Sequence, residues 1–238
     1  MPGIDELFDR SGSVRPPPYP WLGSELWSLL FHHPVAPDPA TLPRGDGHVV
    51  LIIPAFISGD GTTRPLRRFL TRCGYRVFGW ELGINLGPTP RVHAGLQRRL
   101  QACYALEGGP VSVIGVSLGG LLARNLAYDW PQAIRHVITL VSPFRLPTAS
   151  TVAPVIQFCA RYFSPAVDPR RLARPLPVPA TAIFTRADGV VAWETCRSDD
   201  PGCVSLEVGG PHATVCRNPR ALRHVAERLA AVRELAAS

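Results

Sequence analysis

Short runs of β-branched and aliphatic residues alternate along the chain with longer stretches whose apolar residues recur every three or four positions. "HVVLIIP" (48–54), "YRVFGW" (75–80), "VSVIGV" (111–116), "HVITLV" (136–141), "ATAIFTR" (180–186) and "CVSLEV" (203–208) read as strands. "TTRPLRRFLTRCG" (62–74), "RVHAGLQRRLQACYALEGG" (91–109), "LGGLLARNLAYDW" (118–130) and "NPRALRHVAERLAAVREL" (218–235) read as helices. Gly74, Gly109 and Pro131 supply stop signals. Strands apolar throughout must be covered on both faces, which a parallel sheet between helical layers provides. The expected fold class is α/β, with a mostly parallel central sheet and helices on both faces. A ligand site in such a sheet lies beyond the carboxyl ends of the strands.

Two regions break the rhythm. Residues 1–46 are rich in proline and hold one plausible helix, "LGSELWSLLFHH", so they read as an arm packed outside a domain spanning 47–238. Residues 142–179 separate two strands by far more than an ordinary loop, and long connections of this kind are often lids. Within them Val152, Val155, Ile156, Cys159, Tyr162 and Phe163 recur at helical spacing, which fits a lid helix over an apolar pocket. An ordinary crossover helix has the same spacing, and the sequence leaves both readings open.

The strand exits carry the candidate chemistry. Gly115-Val116-Ser117-Leu118-Gly119 is a G-x-S-x-G motif between a strand and a helix. Glycines 115 and 119 give the backbone room for a sharp elbow, which pushes the Ser117 hydroxyl out at the start of a helix. A serine needs a base. Of seven histidines, only His212 lies in a loop just past a late strand, in "CVSLEVGGPHATV". The base needs an acid to hold its tautomer, and Asp188 stands at the exit of the preceding strand in "AIFTRADGVV". Asp168, Asp199 and Asp200 compete, from proline-rich or exposed contexts. The order is Ser117, Asp188, His212. The developing oxyanion needs donors: the backbone N–H of Leu118 and, from the loop "IIPAFISGDG", the N–H of Phe56.

Composition narrows the partners. The 238 residues are 46% hydrophobic and 18% charged, a globular balance. The net charge of +7 comes from arginine alone, scattered in doublets such as Arg67-Arg68 and Arg98-Arg99. No clustered basic stripe or nucleic-acid motif stands out, so nucleic acid is not an expected partner. The first residues lack the apolar core of a secretory signal, and no apolar run is long enough to span a membrane; a cytoplasmic location is expected. Six cysteines without a C-x-x-C pair argue against a zinc site, and no metal or cofactor is expected. Cys196, Cys203 and Cys216 are read as thiols, although they could pair in an exported chain.

With these residues in place, the sequence resembles the α/β-hydrolase superfamily, in its bacterial esterase/lipase-like group. The resemblance runs from about residue 48 to the end through "LIIPAF", "GYRVFGWELGINLGPTP", "VIGVSLGGLLARNLA", "ITLVSPF", "TRADGVVAWE" and "GGPHATVCRNP". It implies the α/β-hydrolase fold and a Ser117–Asp188–His212 triad. Two departures bear on the loops. Pro54-Ala55 replaces the His-Gly or Pro-Gly of many relatives, and Pro211 precedes the histidine where a small or polar residue is usual. Asn85, in "GINLGP", is expected to make an Asx-turn, with a hydrogen bond into the pocket as the alternative.

The resemblance implies a serine hydrolase of carboxylic esters with a hydrophobic acyl group, working through an acyl-enzyme on a small-molecule substrate. The apolar insertion and Phe56, Phe144, Phe158 and Phe163 favour the hydrophobic acyl group. Acyl transfer or thioester cleavage by the same triad is the alternative, and a non-catalytic binding protein on this fold is a third.

Overall fold

The computed structural model describes residues 14–31, 34–146, 149–152 and 169–237. Six strands form one sheet in the order β2-β1-β3-β4-β5-β6. They are β1 (Val49–Ile53), β2 (Arg76–Gly79), β3 (Val111–Val116), β4 (Ile134–Leu140), β5 (Ala180–Phe184) and β6 (Cys203–Glu207). Every pairing is parallel. Each strand therefore ends at the same edge, where the loops 54–59, 117, 141–146, 185–192 and 208–212 emerge.

The helices are α1 (Trp21–Phe31), α2 (Asp60–Arg72), α3 (Pro90–Glu107), α4 (Leu118–Asp129), the short Pro169–Leu172 and the closing helix Pro219–Ala237. Helix α2 and the closing helix cover one face and α3 and α4 the other, because the central strands are apolar on both. In β1, Val50 and Ile52 pack into a core with Leu66, Phe69 and Leu70 of α2 and Leu222, Val225 and Leu229 of the closing helix. Val49, Leu51 and Ile53 point the other way, onto Leu96 and Leu100 of α3 and Leu121, Leu122 and Leu126 of α4. One strand thus seeds two cores, as its period-2 side-chain alternation requires.

Helix α4 approaches the sheet more closely than side chains normally allow. A Cβ on Gly119 would lie 2.4 Å from the carbonyl oxygen of Ile53, and one on Gly115 would lie 2.3 Å from that of Gly119. Gly120 faces Ser142 in the same way, at 2.1 Å. The glycines of the motif let the backbone of α4 rest on β1 and β3.

Of the long connection after β4, the described parts are tied down. Ser150 makes an antiparallel bridge with Val191, and Thr151 N–H donates to Val190 O at 2.9 Å. Near its end the buried Arg124 of α4 donates from Nε to Leu172 O (2.8 Å) and from Nη2 to Arg174 O (2.7 Å), with its guanidinium 4.1 Å over the Phe144 ring. The helical spacing read at 152–163, including Val155, Ile156, Cys159, Tyr162 and Phe163, falls almost wholly outside the described residues, as do Phe158, Asp168, His32 and His33. Cys73, Cys103, Cys196, Cys203 and Cys216 are free thiols.

Candidate active site

Ser117 sits at the exit of β3 with φ 50° and ψ −120°, a region that residues with a side chain rarely occupy. Its N–H donates to Leu140 O at 2.8 Å, anchoring the elbow to β4. The Oγ is left at the first turn of α4 and has no protein partner among the described residues. Leu118 N–H begins the helix, so it has no intrahelical acceptor.

Asp188 follows β5 and is 2% exposed. Its Oδ1 accepts from Val190 N–H (2.8 Å) and Val191 N–H (2.7 Å), which fixes the carboxylate plane. Its Oδ2 then accepts from His212 Nδ1 at 2.7 Å. With an ionised acid the proton resides on Nδ1, leaving Nε2 as the acceptor a nucleophile needs. His212 opens a 3-10 turn, His212–Arg217, and is buried. Gly210, at φ 94°, and Pro211 bring the chain back over the strand edge. Burial alone would favour the neutral imidazole, but the charges of Asp188 and Glu25 outweigh it and hold the His212 pKa above its ordinary value.

The loop after β1 faces this group. Ile57, at φ 52°, donates its N–H to Asn85 O at 2.8 Å. Asn85 is fully buried: Nδ2 donates to Pro54 O (2.8 Å), and Oδ1 accepts from Gly87 N–H (3.1 Å) in an Asx-turn. Asn85 thus braces the loop carrying Phe56 and stays out of the pocket. Asp60 adds a second brace, accepting from Trp80 N–H (3.0 Å) and Glu81 N–H (3.1 Å).

The structure brings Asp188 and His212 together and places Ser117, Leu118 and Phe56 at the same sheet edge; no hydrogen bond joins Ser117 Oγ to His212 among the described residues. Of the competing acids, the described Asp199 and Asp200 lie elsewhere. Asp199 is exposed and pairs with arginines 145 and 197, while Asp200 accepts from Ser198 Oγ at 2.7 Å. His93 lies 3.7 Å from Asp129, and His224 pairs with Glu227 on its own helix.

Two features escaped the sequence reading. Ser112, His48 and Asp46 form a second serine–histidine–acid chain, with His48 Nε2 2.9 Å from Ser112 Oγ and Nδ1 2.5 Å from Asp46 Oδ1. It lies at the amino ends of the strands, with Ser112 1% exposed inside β3, so no substrate reaches it. The other is Glu25 of α1, which binds the loops of Asp188 and His212. Its one sequence signal is the single charge of α1.

No family model and no curated protein matches the sequence. Solved structures do match the fold. An α/β-hydrolase enzyme from the metagenome of lagoon sediments at Mar Chica, Morocco, superposes with a TM-score of 0.58 over 80% of this chain and 94% of that one, at 15% identity. This is the α/β-hydrolase fold. A Bacillus licheniformis lipase shares it at TM-score 0.59 and 13% identity, over 83% of this chain and 96% of its own. A Bacillus subtilis naproxen esterase shares it at TM-score 0.52 and 15% identity, over 79% and 85%. On this fold, the exits of β3, β5 and β6 hold Ser117, Asp188 and His212 in the order read from the sequence.

Proposed function

We propose that the chain is a serine hydrolase of carboxylic esters, with Ser117 as nucleophile, His212 as base and Asp188 as its orienting acid. The buried 2.7 Å Asp188–His212 bond carries the reading, because it fixes the tautomer that leaves Nε2 free to accept a proton. The strained Ser117 elbow supports it, as does the company of a lipase and an esterase on the same fold.

Ser117 Oγ attacks the ester carbonyl carbon while His212 Nε2 takes its proton. The oxyanion is held by the N–H groups of Leu118 and Phe56. The carbon–oxygen bond to the alcohol breaks, and His212 returns the proton to the leaving oxygen. Water then attacks the acyl carbon and gives a proton to His212; the bond to Ser117 Oγ breaks, that proton passes to Oγ, and the carboxylic acid leaves. The serine–histidine hydrogen bond is commonly long in free enzymes and closes with substrate. The partly buried Phe56, in the loop after β1, favours an apolar acyl group.

The test is a panel of p-nitrophenyl esters from acetate to palmitate. Turnover is expected from the native chain and none above background from Ser117→Ala. Undiminished turnover by Ser117→Ala would end the proposal. Product that appears only when an alcohol is added would instead mark an acyltransferase.

A further inference from the structure

The only charged residue of α1 turns inward. Glu25 is 4% exposed, and its two oxygens accept three backbone N–H groups. Oε1 accepts from Gly189 at 2.7 Å and from His212 at 3.0 Å, and Oε2 accepts from Ala213 at 2.8 Å. Those donors belong to the residue after the acid and to the base and its neighbour. The fit is close on the acid side. A Cβ on Gly189 would lie 2.8 Å from Trp21 O and 2.9 Å from Glu25 Cγ, so α1 rests directly on that loop.

Burying a carboxylate is costly unless it is well hydrogen-bonded, and a neutral acceptor could tie two loops more cheaply. The charge lies behind the imidazole on the side of its backbone. Together with Asp188, it favours the protonated ring.

We propose that Glu25 is a positioning residue of the active site: through residues 189, 212 and 213 it sets the spacing of acid and base, and it places a second negative charge behind His212. The N-terminal helix is then part of the catalytic apparatus. This rests on reading Ser117, Asp188 and His212 as the triad.

The test uses the full chain with Glu25→Gln and Glu25→Asp, and Leu26→Ala as a control on the exposed face of α1. Three measurements are made: kcat and KM against pH on a p-nitrophenyl ester, the melting temperature, and the His212 imidazole titration by NMR in a Ser117→Ala background. Glu25→Gln is expected to lose roughly ten- to a hundred-fold in kcat with little change in KM. Its acid limb and its NMR midpoint should both move to lower pH. Glu25→Asp, which keeps the charge, should lose kcat while holding the limb, and Leu26→Ala should match the native chain.

A Glu25→Gln chain with native kcat, limb and NMR midpoint overturns the proposal, even if its melting temperature falls, since that would show a structural tie only. If Glu25→Gln does not fold, Gly189→Ala pushes α1 away from the opposite side. A lowered limb there supports the proposal and a native profile overturns it. Failure of the triad reading shows separately, as turnover retained by Ser117→Ala, and the NMR midpoint still reports the effect of Glu25 on His212.

Discussion

At the scale of single residues, position separates two similar groups. Ser112–His48–Asp46 and Ser117–Asp188–His212 use the same side-chain types, and each has a histidine–acid contact of 2.7 Å or less. Ser112 lies within β3 with its hydroxyl committed to His48, whereas Ser117 is lifted out of the sheet by a positive φ. The electrostatics of His212 give a prediction of definite sign. Its raised pKa means that the ring keeps its proton to a higher pH than an ordinary histidine, whose pKa is about 6.5. In the proposed mechanism His212 must be neutral to act as base, so kcat/KM should fall as pH drops through a midpoint above that ordinary value. Asp188→Asn removes the nearest negative charge and permits the wrong tautomer. It should lower the acid-limb midpoint and reduce kcat by roughly 10³- to 10⁴-fold, as the equivalent change does in serine proteases. A pH–rate profile of both chains reads the two effects together.

At the scale of elements, α4 is where packing and chemistry meet. The glycines that let it touch β1 and β3 also place Leu118 N–H and the Ser117 elbow over the strand edge. Gly119→Ala would drive a methyl group to within 2.4 Å of Ile53 O and 2.6 Å of Pro54 O. Backbone carbonyls cannot rotate aside as a flexible side chain can. The helix must shift, at a cost of about 1–3 kcal/mol, and the loop bearing Phe56 must shift with it. Urea denaturation should show the lost stability, and the rate of labelling by a fluorophosphonate should fall even at temperatures where the variant stays folded. Unchanged labelling would mean that the elbow tolerates a displaced helix.

At the scale of the whole molecule, the amino edge of the sheet carries a buried polar network that makes the fold acid-sensitive. Desolvation lowers the pKa of His48 and, with Arg228 and His48 nearby, that of His136 to about 3. The native state therefore keeps both rings neutral while the unfolded chain takes up protons below about pH 6.5. The unfolded state binds more protons in this window, so stability falls as pH falls. From His136 alone the loss between pH 8 and pH 5 is about 2 kcal/mol. His136→Gln, whose amide can reach the Thr181 hydroxyl that His136 Nε2 contacts at 3.1 Å, should flatten that dependence. Urea titrations of both chains at pH 8 and pH 5 check it, and an equal slope would show that His136 is not the sensor.

What was legible in the sequence was whatever depends on neighbours along the chain. Every strand and the longer helices announced themselves by their apolar pattern, and their described boundaries lie within about two residues of the reading, as at β4, which begins at Ile134 rather than His136; the short Pro169–Leu172 had no such signal. The order of Ser117, Asp188 and His212 was readable because a parallel sheet sends every strand exit to one edge. Tertiary structure alone decided the rest. The role of Glu25 spans 187 residues to His212, and its partners are backbone N–H groups, which every residue but proline carries and no pattern marks. The idle Ser112 group was likewise invisible until β1 and β3 lay side by side with Val50 opposite Ser112. A sequence determines what a segment prefers to be; which segments touch is settled by the packing of two cores on one sheet, and Asp188 and His212 meet only there.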